Sequence, residues 1–353
     1  MPARLPSVLL TLAATLIALS GLELATRAAF GVPLLATTNF VAEGIDIIHA
    51  NSGVLVHDNL VGWRLADHKH VGDGFSTGAY GIRLNGDVDR DPPTGAVLAI
   101  GDSFTAGSGV RDEETWPAQV EALTGGPVIN ASSGAWGGDQ IVLNAKRLVP
   151  ILKPKTLIVS FLADDSLRNA YSTYGGGRKP YFTIAEDVLE LHNVPVPAPS
   201  SHGASLDIWR VIFGHSLFVM KAAQATGRFP DWIGAGQLSY ARAISNEDAV
   251  KVSCLLMDKL AVIKNHGVRV VFMVQYNGPA AMGSEPPWYG PPVLACARDR
   301  GLETIDTFPV LHRVSLEDHA SFLRFWIDEF GQMGHMTREG NAFIAQLVEE
   351  RLN

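Results

Sequence analysis

The sequence predicts an α/β protein, with a central parallel sheet covered by helices on both faces, an inserted cap region and an N-terminal transmembrane helix. Three observations predict it. From Gly95 onward short apolar runs alternate with helical patterns. Those runs are near-continuously hydrophobic, as strands buried on both faces must be. The first run, Ala96 to Ile100, ends in Gly101-Asp102-Ser103, which sets a turn-permissive glycine and a hydroxyl at a strand's carboxyl end, where open α/β sheets bind their ligands.

The elements follow in order. Arg4 precedes an apolar stretch from Leu5 to Leu22 that Glu23 closes. Its eighteen residues rise about 27 Å, enough for a thin bilayer. The stretch reads as a retained single-pass anchor, because it is long for a signal-peptide core and continues helically from Leu24 to Phe30. Ala18-Leu19-Ser20 leaves a cleaved signal peptide as the alternative, and a secreted protein with it. Both readings put the bulk of the chain outside the cytoplasm. Arg4 and Arg27 supply little charge bias, so orientation rests on the short N-terminal tail.

Val32 to Pro93 is rich in Gly, Asn, Asp and His and reads as an extended arm or small subdomain. The predicted strands are Val97–Ile100, Val128–Asn130, Leu157–Leu162, Arg269–Gln275 and Thr304–Asp306. Helical patterns lie at Thr115–Leu123, Ile141–Leu152, Asn246–His266, Val293–Arg300 and Arg338–Leu352. The alternation breaks at about 166–244, where a hairpin (Tyr181–Ile184 and Val188–His192) precedes an aromatic-dotted helical stretch with Trp209, Phe213 and Phe218. An insertion at the carboxyl side of a central strand is placed to cap a site. The organisation is thus 1–31 anchor or signal, 32–93 arm, and 94–353 core domain with its insertion.

Bulk composition excludes several classes. With 353 residues, 47% hydrophobic and 18% charged, the chain can bury one large core and is not a disordered protein. A net charge of -8 provides no basic stripe for nucleic acid. The two cysteines, Cys254 and Cys296, read as buried free thiols, with a single disulfide open in an oxidising compartment. None of the 11 histidines sits in a zinc motif, so no metal or cofactor is implied.

Ser103 needs a base, and His335, just before the last helix, can reach the same sheet edge. His266 ends a helix on the way into a strand, and His57, His68 and His70 lie in the arm. With these residues the chain resembles the SGNH/GDSL hydrolase superfamily, in particular its bacterial membrane-anchored members related to carbohydrate O-acetyl esterases and acetyltransferases. The likeness runs from about Gly62-Trp63-Arg64 and Tyr80-Gly81-Ile82-Arg83 to the C-terminus, with four blocks in order. Gly101-Asp102-Ser103 matches the nucleophile block. Asn130 to Gly137 matches the block whose glycine donates an N–H to the oxyanion. Phe161-Leu162-Ala163-Asp164-Asp165 matches the Gly-x-Asn-Asp block, and the segment around His335 matches the last. The resemblance implies a three-layer, flavodoxin-like α/β/α fold. It also implies a Ser103/His335 pair acting on O-acyl esters, an oxyanion hole of Ser103, Gly134, Ala135 and Asp164, and no cofactor. Its implied partners are an acylated carbohydrate, the bacterial inner membrane with the catalytic domain in the periplasm, and a membrane-bound acyltransferase.

Three positions depart from the family's pattern. The second-block glycine falls at Ala135, beside Gly134, and alanine suits a backbone donor wherever φ is negative. The oxyanion asparagine is Asp164, and an ionised carboxylate has nothing to donate. It serves there only if burial protonates it, or it has taken another role; losing one oxyanion donor costs about a hundred- to a thousandfold. The family's acid position holds Met333 or Gln332, which leaves Asp328 and Glu329 upstream to orient the imidazole by another path. Failing both, Ser103 and His335 form a dyad oriented by Gln332 or a backbone carbonyl. These departures motivate the alternative reading, a weakly active or inactive SGNH-type fold serving as a glycan-binding or assembly partner.

Asp102 and Asp165 read as braces for the turns rather than proton carriers. Trp136, Tyr171, Tyr174, Tyr181, Phe182 and Trp209 read as core first and sugar platforms second. Asn130-Ala131-Ser132 fits the glycosylation pattern only formally, and Gly175-Gly176-Gly177 lacks the strand–helix frame of a phosphate loop.

Overall fold

The computed structural model describes residues 4–35, 37, 39–41, 54–72, 74–86, 91–175, 177–198, 208–226, 228, 232, 240–329 and 331–353. Stretches of the predicted arm (42–53, 87–90) and insertion (199–207, 233–239), and Gly176, lie outside the described residues. The chain forms two compact units, Ala50–Pro199 with Ser239–Asn353, and Met1–His49 with Ser200–Leu238.

The first unit is built on a five-stranded parallel sheet. Its strands are β1 (Val97–Gly101), β2 (Val128–Asn130), β3 (Thr156–Leu162), β4 (Arg269–Gln275) and β5 (Glu303–Asp306). They lie in the order β2-β1-β3-β4-β5. The register places Ala99 beside both Asn130 and Ile158, and Ile158 beside Val271. This is the flavodoxin-like order, whose crevice opens where the order reverses, between β1 and β3.

Every residue of β1 and β3 is buried, and alternate side chains supply two cores. Leu98, Ile100, Val159 and Phe272 pack with helices α3 (Gly138–Leu152), α4 (Asn246–Asn265) and α5 (Gly290–Asp299). Val97, Ala99, Ile158 and Met273 pack on the other side with α2 (Trp116–Thr124) and α6 (Arg338–Leu352). Between β1 and α2 lies the one-turn α1 (Ser103–Ala106). Thr115, Ser245 and Thr337 cap α2, α4 and α6 with side-chain oxygens, a contribution of about 1 kcal/mol each. The α5 helix starts at Gly290, ahead of the expected Val293, because prolines at 291 and 292 lose no hydrogen bond in a first turn.

Of the described arm, residues 54–72, 74–86 and 91–93 fall in this unit and residues 32–35, 37 and 39–41 in the other. Leu55–Asp58 pairs with Gly62–Leu65, and the Arg83 N–H donates to the Asn130 carbonyl at 2.8 Å. The buried Arg83 guanidinium pairs with Asp112 at 2.8 Å and donates to the Ala106 and Val110 carbonyls at 2.6 Å. After α5 a second hairpin, β6 (Trp326–Glu329) and β7 (Gln332–Met336), leads into α6. Cys254 on α4 and Cys296 on α5 form a disulfide, which corrects the free-thiol reading. The reason is that both helices lie on one face of the sheet, side by side.

The insertion divides between the two units. Tyr171–Tyr174, Gly177–Arg178 and Ala241–Arg242 form a three-stranded sheet in the first, beside the Tyr181–Ala185/Val188–His192 hairpin. The helices Ile208–Phe213 and Leu217–Ala225 belong to the second, with the N-terminal helix Arg4–Ala29. Among the described residues no helix is long and apolar enough to cross a membrane, so the expected span is not found. The distal turn of the Arg4–Ala29 helix is instead tied into protein. Glu23 accepts from the Ser216 hydroxyl and from the N–H groups of Leu217 and Phe218, and Arg27 pairs with it at 2.6 Å. Burial pushes the Glu23 carboxyl up, but these donors together bring it down to about 2.

Candidate active site

Ser103 is presented by close approach rather than by strain. A Cβ on Gly101 would lie 2.2 Å from the Thr105 hydroxyl oxygen and 2.6 Å from the Ser160 carbonyl, so only glycine lets β1 turn so tightly there. The Asp102 carboxylate, fully buried, caps α1 by accepting the Phe104 N–H at 2.9 Å. Ser103 is therefore the first residue of α1, at the carboxyl edge of the sheet.

His335 arrives on β7. Its Nε2 lies 2.9 Å from Ser103 Oγ, and its Nδ1 lies 2.6 Å from Glu329 Oε1. The same carboxylate oxygen accepts the His335 backbone N–H at 3.0 Å. A carboxylate on Nδ1 sets the tautomer with its proton there, which leaves Nε2 to accept the serine hydroxyl. The hydrogen bond from His335 holds the Glu329 carboxyl below the usual glutamate range, against the opposing effect of burial. Phe104 packs against the imidazole, ring centres 5.2 Å apart.

Of the two upstream acids only Glu329 meets the imidazole. Asp328 accepts the Gly331 N–H at 2.5 Å and so braces the hairpin turn. Glu329 crosses the ribbon over Gly334, where a Cβ would lie 2.2 Å from its carboxyl carbon. Gly334 is the gap through which the acid reaches its base. Gln332, the dyad alternative, has no contact with the ring among the described residues.

Gly134 lies against the nucleophile, a Cβ there coming 3.9 Å from Ser103 Cβ. Its carbonyl accepts from Trp63 Nε1 at 2.9 Å. Trp136 Nε1 in turn donates to the Trp63 carbonyl at 2.8 Å. Ala135 has φ +60°, so the condition under which alanine suits this position is not met; the left-handed geometry costs alanine about 1 kcal/mol. Among the described residues the N–H groups of Gly134 and Ala135 donate to no protein acceptor. Asp164 takes a different part from the one expected. It accepts the Tyr289 hydroxyl, and burial together with this bond pushes that phenol well up. An acceptor engaged in this way is not an oxyanion donor.

Sequence reasoning missed Arg168. Its Nη1 donates to Asp165 at 2.6 Å, to the Trp136 carbonyl at 2.9 Å and to Asp102 at 3.3 Å. One guanidinium nitrogen thus ties the nucleophile cap, the oxyanion turn and the end of β3. Burial, and then the neighbouring Asp102, raise the Asp165 carboxyl well above the usual range. A spacing of three residues from Asp165 was the only signal in the sequence. Deeper still, Lys179 pairs with Asp139, both fully buried, and donates to the Tyr171 carbonyl at 3.2 Å, which steadies the backbone after Arg168.

The remaining positions are structural. Trp136 is buried, and Asn130, also buried, donates to the Thr105 carbonyl at 2.8 Å. Tyr171, Tyr174 and Tyr240 meet edge to face, and Tyr181 stacks on His192. Phe182 is buried in the core. Among the described residues no cluster of three or more His, Cys, Asp or Glu could hold a metal ion.

No protein-family model matches the chain, and no curated protein matches it in sequence. Solved structures do. The chain is similar to a member of the lipolytic protein G-D-S-L family from Veillonella parvula DSM 2008, at 10% identity and TM-score 0.40, covering 72% of this chain and 96% of that one. It is similar to an acetyl xylan esterase at 14% identity and TM-score 0.38, covering 73% and 100%. It is also similar to a lipase/acylhydrolase from Enterococcus faecalis at 14% identity and TM-score 0.37, covering 73% and 95%.

Proposed function

We propose that the chain is a serine esterase of the SGNH/GDSL type, acting on O-acyl esters, with O-acetyl groups of a cell-envelope carbohydrate as its substrate class. The observation that carries the reading is the unbroken Ser103–His335–Glu329 hydrogen-bond chain. Ser103 Oγ attacks the acyl carbonyl as its proton passes to His335 Nε2, and Glu329 stabilises the imidazolium through Nδ1–H. The N–H groups of Ser103, Gly134 and Ala135 receive the oxyanion. Collapse breaks the ester C–O bond, and the leaving sugar oxygen takes the proton back from Nε2. Water, deprotonated by the same nitrogen, then releases the acid and frees Ser103; a sugar hydroxyl in its place gives transfer, which calls for a membrane-bound acyltransferase as donor partner.

The Cys254–Cys296 disulfide supports work in an oxidising, extracytoplasmic compartment such as the periplasm. The test is kinetic. With an acetyl ester, Ser103→Ala lowers kcat/KM at least about ten-thousandfold and abolishes fluorophosphonate labelling. Hydrolysis retained by a contaminant-free Ser103→Ala protein overturns the reading.

A further inference from the structure

The unit of Met1–His49 with Ser200–Leu238 carries apolar surface that no described residue covers. The six-residue helix Ile208–Phe213 buries none of its side chains. Ile208 and Trp209 are 61% and 63% exposed, Ile212 54%, and the Trp209 and Phe213 rings stack 6.0 Å apart. Its one charged side chain turns to protein, Arg210 Nε donating to the Trp232 carbonyl at 2.8 Å. The backbone at its C-terminal end is held by the far end of the N-terminal helix and the segment after it. Arg27 donates to the His215 carbonyl at 2.7 Å, and the Phe40 N–H to the Gly214 carbonyl at 2.8 Å. On the Arg4–Ala29 helix, Leu10, Leu16, Ile17, Leu19, Leu22 and Leu24 are all exposed. At about 100° per residue these positions fall on every side of the helix.

The occupant that fits is a lipid surface. One protein face covers one stripe of a helix, whereas leucines and isoleucines exposed on several sides of one helix are met together by an apolar medium at an interface. A patch of this kind is foreign to the surface of a soluble monomer. An aromatic pair at the polar end of an apolar helix matches the depth of a membrane–water boundary. In the same unit Lys221 Nζ sits over the Phe30 ring, 4.1 Å from its centre.

We propose that residues 208–213 are a second membrane contact, lying in the headgroup–acyl boundary beside the distal end of the Arg4–Ala29 helix. Attachment then depends on both segments. The inference uses nothing of the esterase reading. Both native cysteines are in the disulfide, so a thiol introduced by Ile212→Cys takes an environment-sensitive nitrobenzoxadiazole label alone. On the full chain in phosphatidylcholine–phosphatidylglycerol vesicles, this label brightens several-fold, shifts to the blue and is quenched by doxyl lipids. The same label at Val262→Cys, exposed on α4, stays unchanged. A label at 212 that keeps its aqueous emission with vesicles overturns the proposal. So does one already shielded without them, or one whose emission follows protein concentration, since each means protein covers the patch.

Discussion

The turn that carries Ser103 and the ribbon that carries His335 meet at one hydrogen bond, yet they are fixed by opposite means. The turn is held by burial: β1 is wholly buried, Gly101 permits the close approach, and Asp102 caps from a fully buried position. The ribbon pairs two strands alone and stays partly wet, with 26% of the His335 side chain and 39% of Glu329 exposed. The nucleophile's placement is thus a property of the sheet, while the base's placement is a property of one carboxylate. Disturbance on the ribbon should therefore cost chemistry and spare folding, and disturbance on the turn side should register in stability.

On the ribbon the largest effect is expected from Glu329→Gln, which keeps the shape and removes the charge that sets the imidazole. Steady-state kinetics on an acetyl ester should show kcat down about a thousandfold, short of the about ten-thousandfold loss of a fully buried acid. Asp328→Asn should stay within about twofold. Equal losses in the two variants would remove Glu329 from its assigned part. Next comes Gly334→Ala, whose Cβ would stand 2.2 Å from the Glu329 carboxyl carbon. Displacing the acid by an ångström costs about a hundredfold in kcat, with an unchanged urea midpoint; full activity would show that Glu329 has another route to the ring. The smallest is Ala135→Gly, on the oxyanion turn. Relief of the left-handed angle, less glycine's added freedom when unfolded, should stabilise by about 0.5 kcal/mol in urea titration. A loss of stability there would mean that the alanine methyl packs usefully.

The same contrast explains what could be read from the sequence. Buried parallel strands must be apolar along their length, so β1, β3 and β4 were legible, and so was a serine at the end of the first. The two-way choice between Asp328 and Glu329 was not. Neighbours on a strand face opposite sides, and a shift of one residue exchanges them. Only the pairing of Glu329 with Gln332, on a hairpin the sequence does not announce, settles it. Arg168 was illegible for a related reason. A buried cation is stable only against its partners, and Asp102 stands 66 positions away. The Cys254–Cys296 bond likewise depends on which turns of α4 and α5 face each other. The turn at Ala135 is also held from afar, Trp63 donating to the Gly134 carbonyl across 71 positions.

Because Glu329 and His335 ride on one two-stranded ribbon, the acid–imidazole couple is complete within a single hairpin. It is a self-contained cartridge, its proton already parked on the correct nitrogen. Loading the ring therefore asks nothing of the strand that delivers the alcohol.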